Sequence, residues 1–135
     1  MHKKNKIALN LFILIGIITL IVGCRTEPIC NFINNSVVQY NERANLEQVK
    51  NAILKAGKDL GWKMEEKNKN LIMGTLNLRG HQAVVKINYG IVYYSIMYVS
   101  SKNLDYDNYS INRFYNSWVT NLEHKINSNL ANTAK

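Results

Sequence analysis

The sequence predicts an α+β fold: a helix, a four-stranded antiparallel meander and a C-terminal helix, with both helices packed on one face of the sheet as a two-layer sandwich. Three observations predict it. Apolar residues recur at steps of three and four over 46–60 and again over 111–126, the helical period. Between them, residues 62–89 carry the two-residue alternation of half-buried strands, and Ile91 to Ser100 is a β-branched and aromatic run. The strand patterns are separated by short turns, which join antiparallel neighbours.

Each element has its own signals. Asn45 suits an N-cap, and Gln48 three residues on makes a variant capping box. Leu46, Val49, Ala52, Ile53, Ala56 and Leu60 then define one apolar face, and Gly61 fits the left-handed position that ends a helix. Trp62 and Met64 alternate with Lys63 and Glu65 before a polar turn at Lys67-Asn68-Lys69-Asn70. Leu71 to Arg79 forms a longer strand with Ile72, Leu76 and Leu78 on one face, and Gly74 allows a close approach. After a turn at Arg79-Gly80, Ala83, Val85, Ile87 and Tyr89 alternate with Gln82, Lys86 and Asn88. Gly90 turns the chain again. Ile91 to Ser100 is β-branched, aromatic and apolar on both parities, the pattern of a central, two-sided or partner-facing strand. A loop follows from Ser101 to Tyr109. Ser110 is placed to cap a last helix whose stripe is Ile111, Tyr115, Trp118, Leu122 and Ile126, extended by Leu130 and fraying over 127–135. Trp118 is expected under the sheet, at the centre of that stripe.

The first residues determine where the chain works. His2, Lys3, Lys4 and Lys6 precede an apolar run from Ile7 to Val22. About 16 residues fall short of the ~20 that span a bilayer as a helix. A basic start, a short apolar run and a small residue at its end describe a secretory signal. The order Ile21-Val22-Gly23-Cys24 resembles the bacterial lipobox. The resemblance implies cleavage between Gly23 and Cys24 by the lipoprotein-processing machinery, a diacylglyceryl thioether on Cys24, and acylation of its new amine. Arg25, standing where enteric-type sorting reads Asp as an inner-membrane signal, implies the outer membrane where a cell has two. The expected organisation is a signal peptide over 1–23, a lipidated N-terminus and tether over 24–44, and one α+β domain over 45–135. Pro28 and the cluster Asn31, Asn34, Asn35 and Ser36 mark the tether, with Ser36 to Tyr40 a possible short strand on the domain.

Without residues 1–23, 112 residues remain, with 14 basic and 9 acidic side chains. The basic residues are scattered, which reads as a solvated surface; attraction to anionic lipid or lipopolysaccharide is the sharper reading. An exported, anchored chain is not expected to meet nucleic acid. With Cys24 committed to lipid, Cys30 has no intramolecular partner; it is either a buried thiol or an intermolecular one.

Recognised catalytic and cofactor motifs are missing: there is no HExxH, GxSxG, P-loop or CxxC. His81 and His124 fall in unrelated elements without carboxylates or Cys at ligand spacing, so neither a metal site nor a cofactor is expected. Asp105 and Asp107 read as a solvated turn, and Glu65 and Glu66 point to opposite strand faces.

The remaining cluster is Tyr94, Tyr98, Ser101, Asn103, Tyr106, Tyr115, Asn116 and Trp118. It is either a polar corner whose amides serve loop backbone, the preferred reading, or a groove for a ligand or partner. Ile87-Asn88-Tyr89, Tyr94-Ser95-Ile96-Met97-Tyr98, Ser101-Lys102-Asn103-Leu104-Asp105-Tyr106 and Tyr115-Asn116-Ser117-Trp118-Val119 with Leu122 resemble a group of small bacterial lipoproteins of uncharacterised function, over roughly Leu46 to Leu130. That group carries a His near the start of its last helix, where this chain has Asn112 or Arg113, and it implies no catalytic residue here. The expectation is a non-enzymatic, lipid-anchored binding or assembly module facing the periplasm, with an envelope protein as its partner. The alternative is a small periplasm-facing hydrolase or transferase with an unrecognised active site.

Overall fold

A computed structural model describes residues 25–135. Residues 1–24, with the expected signal peptide and the expected lipidation site at Cys24, lie outside the described residues. No helix among those described is long and apolar enough to cross a membrane.

The fold is α+β, with two helices, a five-stranded antiparallel sheet and a separate two-stranded one. In chain order the elements are β1 (Thr26–Pro28), β2 (Phe32–Ser36), α1 (Leu46–Asp59), β3 (Lys63–Asn68), β4 (Leu71–Leu78), β5 (His81–Tyr89), β6 (Tyr93–Lys102), β7 (Ser110–Asn112) and α2 (Arg113–Thr133). The large sheet runs β2-β6-β5-β4-β3. The expected meander of β3 to β6 is therefore present, but it is not the whole sheet. Its fifth strand comes from the segment expected to be a tether. Phe32 lies opposite Ile96 and Ser36 opposite Tyr93, with a bulge between Phe32 and Asn35. The strand is at 32–36 rather than 36–40. β1 pairs with β7, Thr26 opposite Asn112, so the chain is folded almost from its first described residue.

One parity of the sheet is buried. Ile72, Ile87 and Ile96 adjoin across β4, β5 and β6, and all three are fully buried. They share a core with Val49, Ala52, Ile53 and Ala56 of α1 and with Tyr115, Val119, Leu122, Ile126 and Leu130 of α2. Amphipathic elements too short to pack alone thus bury their apolar sides in one shared core. Gly57 of α1 lies so close to Met64 of β3 that a side chain there would displace the thioether.

The helix ends follow local chemistry. In α1 the Asn45 side chain accepts the Gln48 N–H at 2.8 Å, and the Gln48 side chain accepts the Asn45 N–H at 3.0 Å. Gly61 closes the helix at φ +84°. In α2 the expected cap at Ser110 is wrong. Ser110 and Ile111 belong to β7, and Asn112 caps by accepting the Phe114 N–H at 3.0 Å. Nor does the chain fray from residue 127, because Leu130 is buried and Asn129 Nδ2 donates to the Ala52 carbonyl at 3.0 Å. Asn41 Nδ2 also donates to Thr133 Oγ1 at 3.0 Å.

The sheet has two unlike edges. On β3, Glu65 bridges Lys63 and Lys67, each at 2.9 Å. On β2, the bulge puts Asn34 in the left-handed region at φ 55°.

Candidate functional site

Half of the expected corner assembles. The register between β5 and β6 shifts between Val84 and Val85, leaving Val99 as an extra residue. A bulge of this kind reverses side-chain parity, so Tyr98 and Ser101 face the same side, and their hydroxyls lie 2.8 Å apart. The Tyr106 ring packs on Tyr98 at 4.2 Å between centroids, and Tyr115 meets Tyr98 edge-on at 5.5 Å. Tyr115 is fully buried, and its hydroxyl has no hydrogen-bond partner. Burial pushes that phenol well above its ordinary range, with neighbouring Cys30, Tyr98 and Tyr106 adding to the shift. Burial likewise lifts the half-buried Cys30 thiol, and the Glu123 charge adds to it.

The other four residues go elsewhere. Tyr94 is buried against the middle of α2, donating to Asn127 Oδ1 at 2.6 Å and accepting from Asn35 Nδ2 at 3.3 Å. Burial raises its phenol strongly as well. Asn103 sits at φ 56°; its amide donates to the Gly80 carbonyl at 2.8 Å, and its own carbonyl lies 2.6 Å from His81 Nδ1. Asn116 holds the chain from Pro28 to Cys30, and Asn103 holds the β4–β5 turn, so both amides bond backbone, while Asn103 is also exposed at the rim of a cleft. Trp118 is not under the sheet. It is half-buried beside the core, stacked with Phe114 at 6.2 Å and 15°, and His81 lies 6.2 Å away. Val119 takes the buried place assigned to it.

Three surface features were not read from the sequence. The first joins Arg25, Asn112, Arg113 and Phe114 to His81 in a cleft of about 350 Å³; His81 also borders a second cleft of about 410 Å³ with Arg79, Lys102 and Asn103. These residues lie far apart in sequence, so only the fold reveals their neighbourhood. The second is a groove of about 470 Å³ between the start of α1 and the β3–β4 turn. There Lys50 pairs with Glu47 at 2.9 Å and Glu66 at 3.5 Å, so the charges largely answer one another; the bond to Glu47 raises the Lys50 ammonium above its ordinary value. The third is apolar. Ile91 and Val92 of the β5–β6 turn, Tyr93 at the start of β6 and Val38 on the neighbouring segment are all exposed, Tyr93 by 54%. The Val37 N–H donates to the Val92 carbonyl at 2.8 Å, which ties the two segments together.

No family model, curated protein or solved structure matches this chain. Its chemistry therefore rests on its own geometry. Among the described residues, no group of three or more His, Cys, Asp and Glu is placed to hold a metal ion. His124 is exposed on α2, 3.5 Å from Glu123 and remote in sequence from His81. Asp107 is engaged in its own turn, accepting from the Tyr109 and Ser110 N–H groups at 2.9 and 2.7 Å. Those backbone donors hold its carboxyl below the usual range. Asp105 stands in the same loop at φ 52°. What the surface offers is cationic and aromatic at one end of the sheet and apolar at the other.

Proposed function

We propose that this chain is a lipid-anchored bacterial envelope protein, a non-enzymatic binding or assembly module that faces the periplasm and engages an envelope protein. In a cell with two membranes, Arg25 after the lipidated Cys24 assigns it to the outer one. The lipobox-like Ile21-Val22-Gly23-Cys24 and the resemblance of Leu46 to Leu130 to small lipoproteins support the address. In this reading the helices and the meander form two layers and act as a rigid stand.

The observation that carries the binding role is the exposed apolar group at Val38, Ile91, Val92 and Tyr93. Scattered apolar residues are ordinary on a surface, whereas contiguous ones mark interaction sites. Two segments held together by the Val37–Val92 bond present theirs side by side. Aromatic side chains such as Tyr93 are favoured at the centre of protein interfaces.

Two measurements test this reading. Labelled palmitate should enter the protein, and Cys24→Ala should abolish labelling and leave the precursor uncut. Normal cleavage of that variant before residue 24 would refute the anchor. Photocrosslinking from position 93 in intact membranes should trap a discrete envelope protein, with nothing comparable from position 128 on α2. Equal crosslinking from both positions would refute the binding role assigned to this end.

A further inference from the structure

We infer that the opposite end of the sheet is a membrane-contact face, built to lie on anionic phospholipid headgroups and formed by Arg25, Arg79, His81, Lys102, Arg113 and Phe114. This rests on the lipid-anchored reading of Cys24 and adds an orientation to it. The first argument is where the chain outside the described residues ends. Cys24 is one peptide step from Arg25, and consecutive Cα atoms are about 3.8 Å apart. Arg25 is not on a tether. Its carbonyl accepts the Arg113 N–H at 3.0 Å, Thr26 is in register with Asn112, and the Ile29 N–H bonds the Tyr109 carbonyl at 3.0 Å. A diacylglyceryl group on Cys24 therefore pulls this end of the fold, and no other, onto the headgroups.

The second argument is charge. Four basic side chains border the two adjoining clefts, and no acidic residue lines either. Arg25, Arg79, Lys102 and Arg113 are all exposed, and none is in an ion pair among the described residues. Three acidic side chains stand on neighbouring segments, Glu27 accepting from the Asn116 amide at 3.4 Å, Asp107 accepting within its own turn, and Asp105 in the same loop, and none of them lines either cleft. A cluster of basic side chains beside a lipid anchor adds electrostatic attraction to an anionic leaflet. The third argument is the aromatic pair. Phe114 is 44% exposed, stacked on the half-buried Trp118, in the middle of this basic rim. Trp rings settle at the headgroup level of a bilayer, and Phe rings insert at its boundary with the acyl chains. The apolar patch at Tyr93 lies at the other end of β5 and β6, since Gln82 pairs with Lys102 near one end and Tyr89 with Tyr94 near the other. Nine residues of β5 at about 3.3 Å each put the two ends roughly 30 Å apart.

The test uses the full lipidated protein reconstituted in phosphatidylglycerol-containing vesicles doped with nitroxide-headgroup lipid. In a Cys30→Ser background, Ser117→Cys beside Phe114 and Asn88→Cys near the far end each carry one bimane fluorophore. Quenching should be severalfold stronger at 117 than at 88. The difference should shrink with Lys102→Glu combined with Arg113→Glu, to what the anchor alone maintains. It should also shrink for the unreversed protein at about 1 M salt, where screening acts within ~3 Å. Palmitate labelling is scored on the same samples. Labelled protein with equal quenching at both positions, or stronger quenching at 88, overturns the orientation alone and leaves the face to an acidic protein or a second copy. Absence of label overturns the anchored reading, and the orientation with it.

Discussion

Asn116 fastens Cys30 to the last helix: its Oδ1 accepts the Cys30 N–H at 2.9 Å, while its Nδ2 donates to the Pro28 carbonyl at 2.9 Å. One amide thus satisfies an acceptor at the end of β1 and a donor in the link that follows it. Asn116→Ala should lower stability by about 0.5–1.5 kcal/mol, the net worth of hydrogen bonds that are only partly buried. Asn116→Asp should cost at least as much, because it loses the donor and places a carboxylate near Glu27. Urea unfolding of the two variants measures this; midpoints equal to the parent would show that the clasp is dispensable.

Trp118 and Leu122 make a second test. A buried Leu truncated to Ala costs about 2–5 kcal/mol, and Leu122 is fully buried. Trp118 is only half-buried, so Trp118→Ala should fall below the ~3–5 kcal/mol typical of a buried Trp. Thermal melts should rank Leu122→Ala as the more damaging. The reverse ranking would restore Trp118 to the core.

Asn103 tests the loop backbone. Its φ of 56° is one that Asn tolerates better than most residues and that costs Gly nothing. Asn103→Ala loses the bond to Gly80 and keeps the strained backbone, whereas Asn103→Gly loses the bond alone. The Gly variant should be the more stable by about 1 kcal/mol. A melting comparison in which Ala equals Gly would show that the loop relaxes.

Glu65 should titrate abnormally. Hydrogen bonds from Lys67 and Lys63, in that order, lower its carboxyl from 4.5 to about 2. The folded value lies below the unfolded one, so the stabilisation is complete above about pH 4.5 and is lost as pH falls through about 2. NMR titration should find the midpoint near 2, rising toward the ordinary value in Lys67→Ala and in high salt. A normal midpoint in the parent would mean that the exposed pairs are averaged away by solvent.

Where one residue's chemistry settles local structure, it could be read directly. The Asn45–Gln48 box, the stop at Gly61 and the alternation of β4 and β5 all follow from local pattern. β2 could not be read this way. Phe32-Ile33-Asn34-Asn35-Ser36 has little strand propensity and a bulge, and it is a strand only because β6 stands beside it. The α2 stripe was read one position off at Trp118 because Ile111 was counted as helical. Helix α2 starts at Arg113, so the stripe from Tyr115 passes through Val119. The corner was legible in its local half, where Tyr98 and Ser101 are three residues apart, but the bulge that aligns them was not. The basic end was hidden because Arg25, Arg79, Lys102 and Arg113 meet only through the β1–β7 pair and the hairpins.

The two edges of the sheet have a consequence for copies held close together. An exposed strand edge is a template on which another chain can add, and confinement to a surface multiplies such encounters. At β3 an incoming strand would meet the Lys63–Glu65–Lys67 run, whose charges would have to give up water and partners. At β2 it would meet a bulge and a left-handed Asn34 that break the straight row of amides. Crowded molecules can therefore lie shoulder to shoulder without polymerising into a ribbon.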